Sequence, residues 1–403
     1  MYIVSFLDRA NVGYAKQVFQ QSLGISAAAY ALGAGLFFVP YALLEIPSNL
    51  MLQRIGARTW MCRIMVSWGL VSMATIFVRG NASYYALRLL LGAAEAGFFP
   101  GVLLYLTYWF PNRTKGQILG IFYFGAPLAL IFGGPVSGIL LKIPARNGLA
   151  GWQWMFLAEG LLAVIVGMCA FVYLNDRPQD ATWLTSIQKT SLVQELAIEE
   201  EQRRTSSAPR LLSVFSNRTV PEFALVYLLI QMSVYGVVFY LPTQVAAILD
   251  RSVGPQVGLV SAVPWICALA ATYWLPKIAD RRNMHRSLAS LALMVAAVAG
   301  LCFNSGDPLV AIVALCVAAS ALIAVQPLFW TLPMGFLADT ATAGGLALIN
   351  AAGAFGGFLA PNAKVWADTH FGSPKAGIYL LAFCSVLAAA LVLQRQRKEG
   401  TLT

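Results

Sequence analysis

Long apolar runs broken by short polar knots constrain this chain more than any other feature. A run of about 20 residues is enough to cross a ~30 Å hydrocarbon core as an α-helix. Twelve such runs are read as spans: 1–20, 28–52, 60–78, 82–108, 116–141, 152–174, 219–248, 256–276, 287–304, 308–335, 342–366 and 375–394. Helices satisfy their own backbone hydrogen bonds, which lipid cannot do for them. A membrane β-barrel would show alternating segments of about ten residues, and the sequence has none. Composition agrees, with 59% apolar and 11% charged residues, whereas a soluble domain is nearer half apolar and a quarter charged. The expectation is an all-α integral membrane protein with twelve transmembrane helices in contact with lipid.

Segment 175–218 differs from its surroundings. It is polar, carries Glu199, Glu200 and Glu201 beside Arg203 and Arg204, and ends in Ser206, Ser207 and Pro209. It reads as a solvated linker with one surface helix. The chain therefore divides into a six-helix bundle over 1–174, the linker over 175–218, and a second six-helix bundle over 219–403. The first run begins at Met1 without a polar flank and carries Asp8, Arg9 and Asn11 early. It reads as a first helix that lacks its start. No basic n-region or small-residue cleavage site marks a signal peptide.

The formal net charge is +10, with 27 Lys and Arg. A nucleic-acid partner is not expected, because the cations gather in the knots between spans. Seventeen fall on one side, including Arg54, Arg58, Arg113, Lys115, Arg210, Arg218 and Arg281, and seven on the other, including Lys16, Arg146 and Lys364. By the positive-inside bias, the linker and C-terminus lie in the cytoplasm and the spans in the inner (cell) membrane. The six cysteines lie inside apolar runs with no metal or redox spacing and read as buried small apolar residues. No cofactor or metal is implied, and the chain reads as a monomer.

An internal repeat runs through the sequence. The basic turn Gln53-Arg54-Ile55-Gly56-Ala57-Arg58 after the second run has a counterpart in Asp280-Arg281-Arg282, 227 positions on. Pro135 and Pro361, in the fifth and eleventh runs, are 226 apart, and each follows closely spaced glycines. Matching offsets argue for parallel repeats, one per half. Gly134-x-x-x-Gly138 and Gly353-x-x-x-Gly357 would let helices approach closely.

At these residues the chain resembles the major facilitator superfamily. The basic turn is similar to that family's D-R-x-G-x-R loop, with Gln53 where the acid usually stands. Phe6-Leu7-Asp8-Arg9-Ala10-Asn11-Val12-Gly13, Gly92-Ala93-Ala94-Glu95-Ala96-Gly97-Phe98-Phe99-Pro100-Gly101 and Phe329-Trp330-Thr331-Leu332-Pro333 resemble signatures of its anion:cation symporter branch. Tyr240-Leu241-Pro242-Thr243-Gln244-Val245-Ala246-Ala247 and Ala360-Pro361-Asn362-Ala363-Lys364-Val365 look most like rhamnonate-type sugar-acid carriers. The resemblance covers essentially the whole chain. It implies a fold of two six-helix bundles and transport of a small organic anion with protons.

Ionisable groups inside a membrane are costly and usually functional. Asp8 and Glu95 stand in otherwise apolar stretches, where desolvation favours the neutral carboxyl and allows proton uptake. The resemblance assigns proton coupling to these two positions. Arg9 offers a planar fork matched to a carboxylate and is the expected substrate cation. Arg88 lies seven residues before Glu95 on the same helical face; it is expected among the substrate-binding residues, and to pair with Glu95 or another acid when no substrate is present. Asn11, Tyr41, Tyr123, Gln231, Tyr235, Gln326, Trp330 and Asn350 would supply hydroxyl, amide and indole groups suited to a polyhydroxy acid. Lys364 reads either as a second cation for the anion or as a snorkelling side chain. Glu45 is expected to be structural near the basic turn.

The leading expectation is therefore a proton symporter for sugar acids. Aromatic or dicarboxylic acids such as hydroxyphenylacetate, phthalate or tartrate come second. A passive facilitator or channel would not need buried titrating groups. An enzyme would need a nucleophile–base set or metal ligands in the spans; the two histidines, His285 and His370, sit at span ends.

Overall fold

The apolar runs become helices whose outward faces are hydrocarbon. In the computed structural model, which describes residues 1–111, 118, 121–145, 148–205, 219–303, 306–336 and 342–400, the regular structure is helical and no β-strand occurs among the described residues. Leu43, Ile46, Phe77, Phe132 and Ile139 are among the exposed large side chains, whereas Asp8, Arg9, Asn11, Glu45, Arg88, Glu95, Glu159 and Lys364 are buried. That inversion fits a lipid solvent, in which a charge is costly at the periphery.

The first six runs give α1 (Tyr2–Ser22), α2 (Ala27–Leu36), α3 (Phe38–Ile55), α4 (Ala57–Ala74), α5 (Asn81–Glu95), α6 (Phe98–Trp109), α7 (Gly125–Leu141) and α8 (Gly151–Tyr173). Within 175–218, α9 covers Ser186–Thr205; residues 206–218 lie outside the described residues, as do Arg113, Lys115 and Arg146. Next come α10 (Thr219–Ile248), α11 (Pro255–Arg282), α12 (His285–Cys302), α13 (Pro308–Phe336), α14 (Thr342–His370) and α15 (Ala376–Gly400). Among the described residues, ten helical stretches are long and apolar enough to cross a membrane. α1 and α14 stand outside those ten; at 21 and 29 residues and 1.5 Å per residue they still have the length for a ~30 Å core.

Two runs read as single spans are each split in two. The second breaks at Phe37, between α2 and α3. The fourth breaks at Ala96 and Gly97, where Gly97 has φ +81°. A Cβ on Gly97 would also fall 2.3 Å from the Ser48 hydroxyl oxygen. Glycine is thus needed there for both backbone sign and room. The break makes Glu95 the last residue of α5.

Helices from the two halves of the chain meet along close seams. α7 packs on α11, where a Cβ on Gly134 would lie 2.6 Å from the Gly258 carbonyl oxygen and one on Gly138 2.6 Å from that of Gly254. On α14, Gly357 lies against Phe38 of α3, and Phe358 and Asn362 lie against Gly35 of α2. α1 crosses α10 where Gly13 meets the Phe239 carbonyl. Small residues drive such contacts in lipid because they allow backbones to approach.

At the end away from the linker, Lys142 donates to Ser252 (3.0 Å) and the Val253 amide to Gln17 (3.0 Å), both between the halves. At the linker end, the Arg58 amide donates to Asp176 (2.8 Å), so a carboxylate from beyond α8 serves the basic turn in which Gln53 stands at the acid's place. The cysteines differ from expectation. Cys384 is buried, but Cys169, Cys267 and Cys302 are exposed on outward helix faces, where lipid accepts a small apolar thiol as readily as a protein core does.

Candidate functional site

The site is built on α1, which carries an acid and a base in adjacent positions and directs them to different partners. Arg9 reaches Glu95 at the broken end of α5: Nε donates to Oε1 at 2.9 Å and Nη2 to the same atom at 2.6 Å. Ser5, one turn earlier on α1, donates to that oxygen as well (2.6 Å). Glu95 is fully buried, and its Oε2 has no hydrogen-bond partner. The Arg9 guanidinium lies over Tyr41 (4.8 Å) and Phe37 (5.3 Å), and Nη1 donates to the Tyr235 hydroxyl at 3.4 Å. A carboxylate at the C-terminal end of a helix is disfavoured by the backbone dipole, and the guanidinium offsets this.

Asp8 faces away from Arg9. Its Oδ1 accepts from Asn11 Nδ2 (3.1 Å) and from the Ser72 hydroxyl of α4, while Oδ2 has no partner. Arg88 is not paired with Glu95. Its Nε and Nη2 donate to the carbonyls of Gly33 and Ala34, each at 3.2 Å. These carbonyls belong to the last turn of α2, whose break at Phe37 leaves them without helical partners. The cation therefore caps a helix end.

A cleft opens beside Arg9, with about 540 Å³ of space free of protein atoms, part of it continuous with solvent. Its walls carry Arg9, Tyr41, Tyr123, Gln231, Tyr235, Gln326 and Asn350 together with Tyr2, Phe6, Phe38, Phe99, Tyr227 and Ala354. A few polar groups among aromatic faces are typical of small-ligand sites. Asn350 also donates to Glu45 Oε1 at 2.8 Å, a bond between α14 and α3, so Glu45 joins the halves beside the cleft.

Other candidates stand apart from this wall. Trp330 is not among the residues that line the cleft and packs edge-on against Tyr227 at 4.9 Å. Asn11 stays with Asp8. Lys364 lies nearer the other end of α14, bonded to Asp368 (2.6 Å) and 4.6 Å from the centre of the Tyr240 ring; Lys16 of α1 approaches the same ring at 4.4 Å. His285 is bonded to Asp280 (2.8 Å), and His370 stacks on Trp366.

Sequence reasoning passed over Ser5, Tyr2, Tyr227 and Glu159. Tyr227, Gln231 and Tyr235 form a stripe at four-residue spacing, so the first follows from the other two. Ser5 is likewise one turn before Arg9. Glu159 is a carboxyl inside an apolar run, the same signal that singled out Asp8 and Glu95.

The comparisons concern the family and the fold. The family model described as Major Facilitator Superfamily matches residues 1–361. Inner membrane transport protein RhmT of Escherichia coli (strain K12) is 46% identical over 392 residues, covering 97% of this chain and 91% of that one. A protein of Agrobacterium vitis, provisionally named a tartrate transporter, is 40% identical over 404 residues, 99% of this chain and 92% of its own. Among solved structures, a bacterial homolog of the human lysosomal transporter Spinster, in an inward-facing and unoccupied conformation, superposes with a TM-score of 0.74 at 15% identity, covering 98% and 95% of the two chains; this likeness concerns the fold. With the helical fold, the buried charges and these matches together, the chain belongs to the Major Facilitator Superfamily and is an integral membrane transporter rather than an enzyme.

Proposed function

We propose that the protein is a proton-coupled symporter of a small organic anion, a sugar acid such as rhamnonate or another aldonate. The six-helix halves 1–174 and 219–403 alternate access to the cleft, with the linker and C-terminus in the cytoplasm. One observation carries this reading: the Arg9 guanidinium stands on the wall of a polar cleft, and its one carboxylate partner among the described residues is Glu95.

A proton arriving at Glu95 neutralises that partner and leaves Arg9 with an unmatched charge. A substrate carboxylate then takes its place, since a bidentate arginine–carboxylate pair is among the stronger polar contacts. The hydroxyl and amide groups of Tyr41, Tyr123, Tyr235, Gln231, Gln326 and Asn350 hydrogen-bond the hydroxyls of the acid. Asp8, with one oxygen bonded and the other free, holds a second proton at Oδ2. Coupling follows because Arg9 binds the anion well only when Glu95 is protonated.

The test is uptake of labelled aldonates into vesicles containing the purified protein, with and without an imposed pH gradient. Accumulation that collapses when the gradient is dissipated supports the reading. Uptake indifferent to pH would replace it with passive facilitation. A second reading, dicarboxylate transport, is favoured by the relative named for tartrate; uptake of tartrate with exclusion of aldonates would establish it instead.

A further inference from the structure

Glu159 of α8 is a buried carboxyl to which the mechanism above gives no task. It is 3% exposed. Its Oε1 accepts from Ser137 of α7 at 2.7 Å, and its Oε2 has no partner. No Lys or Arg among the described residues is within ion-pair reach of it or of Asp8. Asn11 donates from Nδ2 to Asp8 Oδ1 at 3.1 Å, and Gly160, the residue after Glu159, packs on Gly69 and Met73 of α4, in the turn whose Ser72 hydroxyl donates to Asp8. Three buried oxygens of this group, Asp8 Oδ2, Asn11 Oδ1 and Glu159 Oε2, are left without partners.

The surroundings offer little to hold two negative charges. From α1, Asp8 and Tyr14 are the titratable groups that act on Glu159. From α7 comes the Ser137 hydroxyl, and from α4 the Ser72 hydroxyl on Asp8. Arg88 and Glu95 of α5 influence Asp8 from further away, each already bound elsewhere. Two carboxylates that share a dry site without a cation cannot both be ionised cheaply. The site therefore keeps at least one proton.

We propose that Glu159 carries a proton in the transport cycle and titrates jointly with Asp8, so that the proton store of the first half is a two-carboxyl site. This rests on the proton-coupled reading above for its role in transport. The joint titration itself is a property of the resting protein. Movement of Arg9 from Glu95 to the anion changes the field at the neighbouring Asp8, and the pair redistributes its proton in response.

The experiment is an infrared pH titration of the purified protein in lipid, following the carbonyl stretch of protonated carboxylic acids. Glu159→Gln should remove one such band and shift the midpoint of the remaining Asp8 band by about one pH unit or more, as strongly interacting sites do. Asp8→Asn should do the same to the Glu159 band, so the pair can be read from either side should one variant not fold. Bands that titrate as in the wild type in either variant, or a Glu159 band that never changes with pH, would overturn the joint site. The spectrum needs neither substrate nor gradient. Wild-type vesicles that fail to show proton-driven uptake would therefore remove the role in transport and leave the shared titration standing, whereas unshifted bands would remove the shared titration alone.

Discussion

Arg9 places two of its nitrogens, Nε and Nη2, on a single oxygen of Glu95, at 2.9 and 2.6 Å, and the second carboxylate oxygen is left with no partner. The guanidinium fork is thus satisfied on one oxygen rather than in the two-oxygen arrangement that makes arginine–carboxylate pairs strongest. Such a contact is suited to being exchanged, since an incoming carboxylate can offer both of its oxygens.

Arg9→Lys keeps the charge and loses the fork. Removing one charge-assisted hydrogen bond costs about 1.5–3 kcal/mol. Anion affinity should fall roughly 10- to 100-fold, at about 1.4 kcal/mol per decade of affinity. Thermal stabilisation by added substrate, compared with the wild type, checks this separately from transport rate.

Glu95→Gln mimics a permanently protonated carboxyl. Arg9 is then always available, so exchange of labelled for unlabelled anion should persist while accumulation driven by a pH gradient disappears. Parallel counterflow and gradient-driven uptake assays distinguish the two.

Gly97→Ala puts a Cβ on a residue at φ +81° and 2.3 Å from the Ser48 oxygen. A strained non-glycine residue of this kind costs about 1–3 kcal/mol. The melting temperature in detergent should drop, and uptake should fall further than stability alone explains, because the break that places Glu95 would move.

Gly134→Leu should hold α7 and α11 apart, since even a Cβ there would meet the Gly258 carbonyl at 2.6 Å. Transport should be lost with the protein still folded. In a background free of native cysteines, a probe cysteine at Ser252 should react faster with a membrane-impermeant maleimide than it does beside the native glycine.

Membrane class and helical character were legible in the sequence because they depend on run length and composition, which bilayer thickness converts directly into structure. The ionisable residues worth attention were legible for the same reason: a charge inside an apolar run stands out wherever it points. Partner choice was not legible. Arg88 shares a helical face with Glu95, yet it caps α2, because a break at Phe37 that no periodicity announces frees the Gly33 and Ala34 carbonyls. Asp8 and Arg9 are adjacent in the chain and end up in separate networks, one with Ser72 and Asn11, the other with Glu95 and Ser5. Which helices meet is decided by close packing at glycine faces such as Gly134 against Gly258, a property of pairs of surfaces far apart in sequence. One chain read alone thus names most of the buried charges, though Glu159 was passed over, while the packing of its helices determines which of them can exchange partners.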